Sequence, residues 1–288
     1  MSPFTGGSDH VDFLYSDMGI PAFSYNVWPD LWYHTDGDRP DKSDPTQFKR
    51  VAFIGGATAL AVCSGKPEIL ERIIRLAGEE RAEFMGKAAA RAMRELSVLK
   101  APDGGVTFRN GMTYIRQSAF LSQNALQGID ELAGGKKGLE DYLKTTITRL
   151  NGLKSFYETQ LTEQYRTIAA LRGFAADFGK PSAAEVRLKG IVPRKIKPLR
   201  VSDDFPFDAI FKTINKDPKD SMDIYVKYGF PYYLQLFVSV DGKKNLAEIR
   251  DMLGLEFKPV EPDVFLKHVQ MLEDGGLIAT KAVKAGKT

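Results

Sequence analysis

Between residues 68 and 178 apolar side chains recur every three or four positions, and this period constrains the fold more than any other feature. Residues 68–99 carry Ile69, Ile73, Leu76, Phe84, Ala88, Ala92 and Leu96 along one face of a helix. Residues 101–111, around Pro102-Asp103-Gly104-Gly105, read as a loop. Residues 114–132 read as a second helix, ended by Gly134-Gly135. Residues 138–178 form the longest stretch, with a near-heptad stripe of Leu143, Ile147, Leu150, Phe156, Tyr157, Leu161, Tyr165, Ile168, Leu171 and Phe178. Three long helices joined by short loops predict an antiparallel bundle over 66–180. Its large aromatic stripe is expected to mediate a homodimer.

Two further regions follow. Residues 181–200 hold three prolines and six Lys/Arg against one Glu, and read as a solvated linker. Residues 201–288 read as a compact end domain. Residues 207–214 and 221–227 look helical or irregular, and Asp241-Gly242 turns the chain after the apolar run 232–240. Helices are expected over 246–253 and 262–274, then a short strand over 277–283, which is a winged-helix-like α+β layout. The 262–274 helix is flanked and filled by Glu261, Asp263, Glu273 and Asp274 against Lys267 and His268, so phosphates are repelled and no nucleic-acid partner is expected. His268 is read as a surface residue.

Composition is globular: 43% hydrophobic and 27% charged residues. A net charge of +3 gives no reason to invoke nucleic acid or an anionic membrane. No apolar run approaches the ~20 residues of a membrane span. Cys63 is the single cysteine, which excludes an internal disulfide, and it reads as a small core residue on a helix.

Residues 6–53 are chemically different from the rest. They hold His10 and His34, both tryptophans and a dense set of aspartates. Eight aspartates stand against four Lys/Arg in residues 1–65, an acidic excess that suits a cation or a substrate ammonium group. Residues 9–18 read as a short helix and 20–27 as a strand, followed by an irregular polar loop over 30–43. Asp44-Pro45-Thr46-Gln47 starts a helix, with Asp44 as N-cap, Pro45 at N1 and Gln47 closing a capping box. Its stripe, Phe48, Val51, Ala52, Gly55, Ala59 and Val62, is expected to pack on a sheet. His34 lies between an aromatic run and an aspartate-rich loop, a setting that suits a zinc ligand oriented by a carboxylate.

An ordered set of motifs runs through this stretch: Ser8-Asp9-His10 with Phe13, Gly19-Ile20-Pro21-Ala22, and Tyr33-His34-Thr35 with Asp38, Asp41 and Asp44. Over residues 6–63 this resembles the C-terminal end of the catalytic domain of the di-zinc aminopeptidases, the family of leucyl aminopeptidases, glutamate carboxypeptidase and glutaminyl cyclase. The resemblance implies that His34 is a zinc ligand and that Asp9, His10, Tyr33 and Asp38 line the site or support it. Phe13, Trp28 and Trp32 are candidates for an apolar substrate wall. Arg39-Pro40 departs from the family's single Thr between the two aspartates, which bears on Asp38 and Asp41.

The family also needs a second His, two Asp and a Glu as ligands, and a further Glu as general base. No glutamate precedes Glu68 here, so no catalytic residue is assigned and the chain reads as the C-terminal part of a longer enzyme. The expected fold is therefore mainly α with some α/β: a partial zinc-peptidase domain over 1–65, the bundle over 66–180, the linker over 181–200 and the winged-helix-like domain over 201–288. The expected activity is removal of N-terminal amino acids from peptides with two zinc ions, this chain alone being inactive. Two alternatives stay open: a glutaminyl-cyclase-like zinc acyl transferase, and a non-catalytic interaction or structural fragment. Members of the family are often secreted or periplasmic; the sequence itself points to no compartment.

Overall fold

The computed structural model describes residues 10, 13, 22, 24, 25, 29–98, 104–196 and 218–280, and these are mainly helical. The elements are α1 (Pro45–Ser64), α2 (Pro67–Ser97), α3 (Gly104–Ala133), α4 (Lys137–Leu171), α5 (Ala183–Lys189), β1 (Arg194–Lys195), α6 (Pro218–Ser239), α7 (Leu246–Glu256), α8 (Pro262–Asp274) and β2 (Ile278–Ala279). A 3-10 turn covers Pro40–Lys42. β1 and β2 pair antiparallel, Arg194 opposite Ala279 and Lys195 opposite Ile278. Among the described residues no helix is long and apolar enough to cross a membrane.

The chain divides into two compact units. The first comprises Met1–Ala22, Lys87–Ser118 and Tyr157–Thr288; the second comprises Phe23–Gly86 and Ala119–Phe156.

One core of the first unit joins Ala88, Ala89, Ala92 and Leu96 of α2 to Phe108, Tyr114 and Ile115 of α3 and to Leu161 and Tyr165 of α4. Small residues bring these helices close: a Cβ on Gly111 would sit 3.0 Å from both Ala92 and Leu161. Tyr114 donates from its hydroxyl to Glu95 (3.1 Å), and the Arg91 guanidinium lies 4.1 Å over its ring. Burial raises the Tyr114 pKa, with Arg91 opposing. After α4 the chain turns at Gly173 (φ 72°) and brings Phe178 back edge-on to Phe108 and Tyr165.

A second core gathers Leu188 of α5, Tyr232 and Phe237 of α6, Ile249 of α7, Phe265 of α8 and Ile278 of β2, all with no exposed area. Its helices begin on well-formed caps. Ser182 with Glu185, and Asn245 with Glu248, each make a capping box. α6 is broken at Gly229, whose φ of 75° only glycine adopts without strain, and Pro231 then opens the second segment, where a missing N–H costs nothing.

In the second unit α1 begins on Asp44, whose carboxylate accepts from Thr46 N at 2.8 Å, and ends at Gly65 in the left-handed region. The larger buried side chains elsewhere in this unit include Leu70, Ile74 and Met85 of α2, Leu126 and Ile129 of α3, and Leu139, Leu143 and Leu150 of α4. α2 and α4 come close at Gly78, where an added Cβ would lie 2.7 Å from the Thr146 methyl.

Several expectations are corrected. α1 has no buried residue: Phe48, Val51 and Val62 are exposed, so the stripe does not pack on a sheet. Cys63 is exposed and not a core residue. At the start of α2 the buried face is Leu70 and Ile74 rather than Ile69, Ile73 and Leu76, with Leu76 open to solvent. α3 begins at Gly104, inside the stretch read as a loop. α4 stops at Leu171, and Leu171 and Phe156 point to solvent. The basic segment read as a linker is folded from residue 183 to 195, with Leu188 fully buried. His268 is not a surface residue but has no exposed area. Ala22, Ser24 and Tyr25 lie in no regular element; the rest of the expected 20–27 strand, most of the 9–18 helix and all of 207–214 fall outside the described residues.

Candidate functional site

Four of the site residues read from the sequence, Trp32, Tyr33, His34 and Asp38, share one local structure, the double turn Trp32–Asp38. Asp30 Oδ1 accepts from Trp32 N at 2.9 Å and fixes the entry. Thr35 N and Thr35 Oγ1 both donate to Trp32 O, at 3.0 and 2.7 Å, closing the first turn. Asp38 N donates to Thr35 O at 3.2 Å and closes the second. Gly37 lets the indole lie close, because a Cβ there would stand 2.7 Å from Trp32 Cε3 and the ring would have to shift.

His34 occupies the third position of the first turn with φ 60°, the one positive φ at a non-glycine among the described residues. A positive φ at that position alone is the sign pattern of a type II turn, which favours Gly or Asn there. The left-handed backbone costs an L-residue roughly 1–2 kcal/mol. The imidazole is exposed and stacks on Tyr33, ring centroids 3.9 Å apart. Lys42 Nζ pairs with Asp41 at 3.0 Å and lies 4.8 Å over the Trp32 ring, tying the 3-10 turn Pro40–Lys42 to the aromatic side.

Tyr33, His34 and Asp38 are thus brought together with Trp32 by the turn itself. Trp32 and Tyr33 are 42% and 44% exposed, so they form an open surface and not a closed pocket wall. Phe13 is also exposed and His10 is half-buried; both belong to the first unit. Asp9 and Trp28 lie outside the described residues. Asp44 caps α1, as its sequence position suggests.

Zinc requires three or four converging N, S or O donors. Among the described residues no group of three or more His, Cys, Asp and Glu side chains stands close enough to hold a metal ion. His34 with the neighbouring aspartates therefore does not by itself fit a complete zinc centre. Family models, curated proteins and solved structures offer no match to this chain.

A second polar centre surrounds His268, which the sequence reading placed at the surface. His268 Nδ1 shares a 3.0 Å hydrogen bond with the Tyr232 hydroxyl in the interior of the first unit, and Tyr228 and Tyr233 pack against the ring. Its Nε2 is buried with no hydrogen-bond partner among the described residues. Burial, with Lys227 adding repulsion, lowers the His268 pKa to about 3, so the ring is neutral near pH 7. Burial also raises the Tyr232 hydroxyl well above its ordinary value. The cue in the sequence is Tyr232-Tyr233 after Pro231, an aromatic pair with a hydroxyl that needs a partner once buried.

Proposed function

We propose that residues 6–63 form one rim of a zinc-dependent exopeptidase site, in which His34 contributes a metal ligand and Tyr33 and Asp38 lie beside it. The activity is hydrolysis of N-terminal amino acids from peptides, and the remaining ligands and general base come from outside the described residues. The observation that carries this reading is the backbone of His34. Strain at a single non-glycine residue, held by a dense set of turn hydrogen bonds, marks a residue kept for its side chain. The ring it presents is exposed and oriented by stacking on Tyr33. The acidic excess around it favours a cation.

The test is equilibrium dialysis of the chain with zinc. Weak binding, lowered about tenfold or more by His34→Ala, and no turnover of leucyl amides are expected. Zinc uptake equal in the variant would remove His34 from any site.

A non-catalytic reading has one observation in its favour, the absence of any buried residue in α1, whose Phe53 and Leu60 are 76% and 71% exposed. Such a surface suits a partner protein. We infer on the same grounds that α2, α3 and α4 act as an antiparallel association bundle. Residues 201–288 serve as a winged-helix-like interaction module with no nucleic-acid partner. His268 is buried, and Asp263 and Asp274 leave α8 little positive charge to offer phosphates.

A further inference from the structure

A cleft of about 450 Å³ opens in the first unit, lined by residues of α3, α5 and α7 and the segment after α4. This is within the range of small-molecule sites, roughly 300–1,000 Å³. One side is apolar, built from Phe108, Met112 and Phe178; the two rings meet edge to face at 5.1 Å, and Phe178 keeps 37% of its surface open. The other side carries four cations, Arg109, Arg116, Lys189 and Arg250, against two carboxylates, Glu185 and Asp251.

The two carboxylates leave most of the cationic donors without acceptors. Glu185 spends Oε2 on Ser182 N at 2.7 Å, as part of the α5 cap. Its Oε1 stands 3.5 Å from Arg109 Nε and 4.0 Å from Arg250 Nη1, near enough for attraction and too far for good hydrogen bonds. Asp251 accepts Nε and Nη2 of Arg250 on a single oxygen, at 3.3 and 3.1 Å. Arg116 donates Nε to Glu158 at 2.6 Å. Arg109 Nε is buried without a hydrogen-bond partner among the described residues. Among the described residues neither Arg109 nor Lys189 makes a side-chain hydrogen bond, and the Nη groups of Arg116 find no acceptor. Burial pushes the Asp251 carboxyl up despite Arg250, which marks the floor of the cleft as poorly solvated.

Guanidinium edges matched to no carboxylate are the donors that recognise a planar or tetrahedral oxyanion, in bidentate fashion. We propose that this cleft binds an organic oxyanion, a carboxylate or phosphate head joined to an apolar body of aromatic size. The head sits among Arg109, Arg116, Lys189 and Arg250, and the body against Phe108 and Phe178. Glu185 holds Arg109 and Arg250 apart from each other and pre-set for the ligand. This site is independent of the His34 turn and of any zinc.

Calorimetric titration of the full chain, at matched ionic strength, tests the assignment with four probes: phenyl phosphate, benzoate, inorganic phosphate and benzyl alcohol. Saturable binding of phenyl phosphate or benzoate is expected; which of the two is tighter identifies the head group. Inorganic phosphate, lacking the body, should be weaker by about tenfold, and benzyl alcohol, lacking the charge, weaker still. Lys189→Gln and Arg116→Gln, both at exposed positions, should each weaken the bound probe by about tenfold, because each removes a charge-assisted donor. Benzyl alcohol binding as tightly as the anions, heats no larger than those of sodium chloride, or affinities unchanged in both variants would each overturn the proposal.

Discussion

The chain places two of its histidines in opposite surroundings. His34 stands on an exposed turn, in a strained backbone, with its ring open to solvent. His268 lies in the interior between tyrosines, hydrogen-bonded at 3.0 Å and kept neutral by burial. Both have aromatic neighbours, yet one is available for chemistry and the other serves packing. The difference lies in what the surrounding element does with its apolar residues. The turn is polar and local, its geometry set by contacts within a few residues. α8 is amphipathic and His268 falls on its covered face, with Phe265, Val269 and Leu272.

The largest effect expected is on the buried side. Phe265→Ala should destabilise the chain by about 3–5 kcal/mol in denaturant unfolding, since the side chain is fully buried. Trp32→Ala should cost less than about 1 kcal/mol, because the ring is nearly half exposed. Comparable losses in the two variants would erase the contrast between the regions.

Next in size is the pH dependence. The unfolded chain takes up a proton at His268 near pH 6.5, while the folded chain does so only near pH 3. Its contribution to stability is therefore full above about pH 6.5 and falls progressively as pH drops toward 3, by a few kcal/mol. His268→Gln should flatten the unfolding free energy across that window. A pH profile unchanged by the substitution would mean that the imidazole is not buried and neutral.

A smaller effect sharpens the other side. His34→Gly should stabilise the chain by up to about 1 kcal/mol, by relieving the left-handed backbone. It should also abolish any zinc response. Stability gained where ligation is lost is the signature of a residue kept for function. Destabilisation by this change would mean that the ring packs structurally. Smallest of all, Phe53→Ser and Leu60→Ser on α1 should move stability by no more than about 0.5 kcal/mol while raising solubility, since neither side chain is covered.

The parts of this architecture visible in the sequence are those decided locally. Asp44-Pro45 starts α1, Pro262 opens α8, and the Trp32–Asp38 turn is irregular as its composition implies. What needed tertiary information was which face is covered. In Pro67–Ser97, Ile69 and Ile73 lie beside Leu70 and Ile74, two equally apolar columns. Only the packed neighbours choose between them. Ile74, Met85 and Leu96 then repeat every 11 residues, a period near ~3.67 residues per turn. Gly104-Gly105 read as a loop because glycine is costly in a helix, yet Gly105 lies close against the Asp177 carbonyl, 2.8 Å from an added Cβ. That contact comes from a loop far along the chain. Burial of His268 was hidden for the same reason: its partner Tyr232 sits on a different helix. The four-cation cleft had no sequence signal, because its members come from three helices and none forms a motif with its chain neighbours.

The most direct test of the contrast between the two histidines is a zinc titration of the full chain followed by NMR of the imidazole resonances. The His34 signals should shift and broaden as zinc is added, and the His268 signals should stay fixed, since its ring is enclosed and already hydrogen-bonded. Zinc that perturbs His268, or leaves His34 unmoved, would contradict the account.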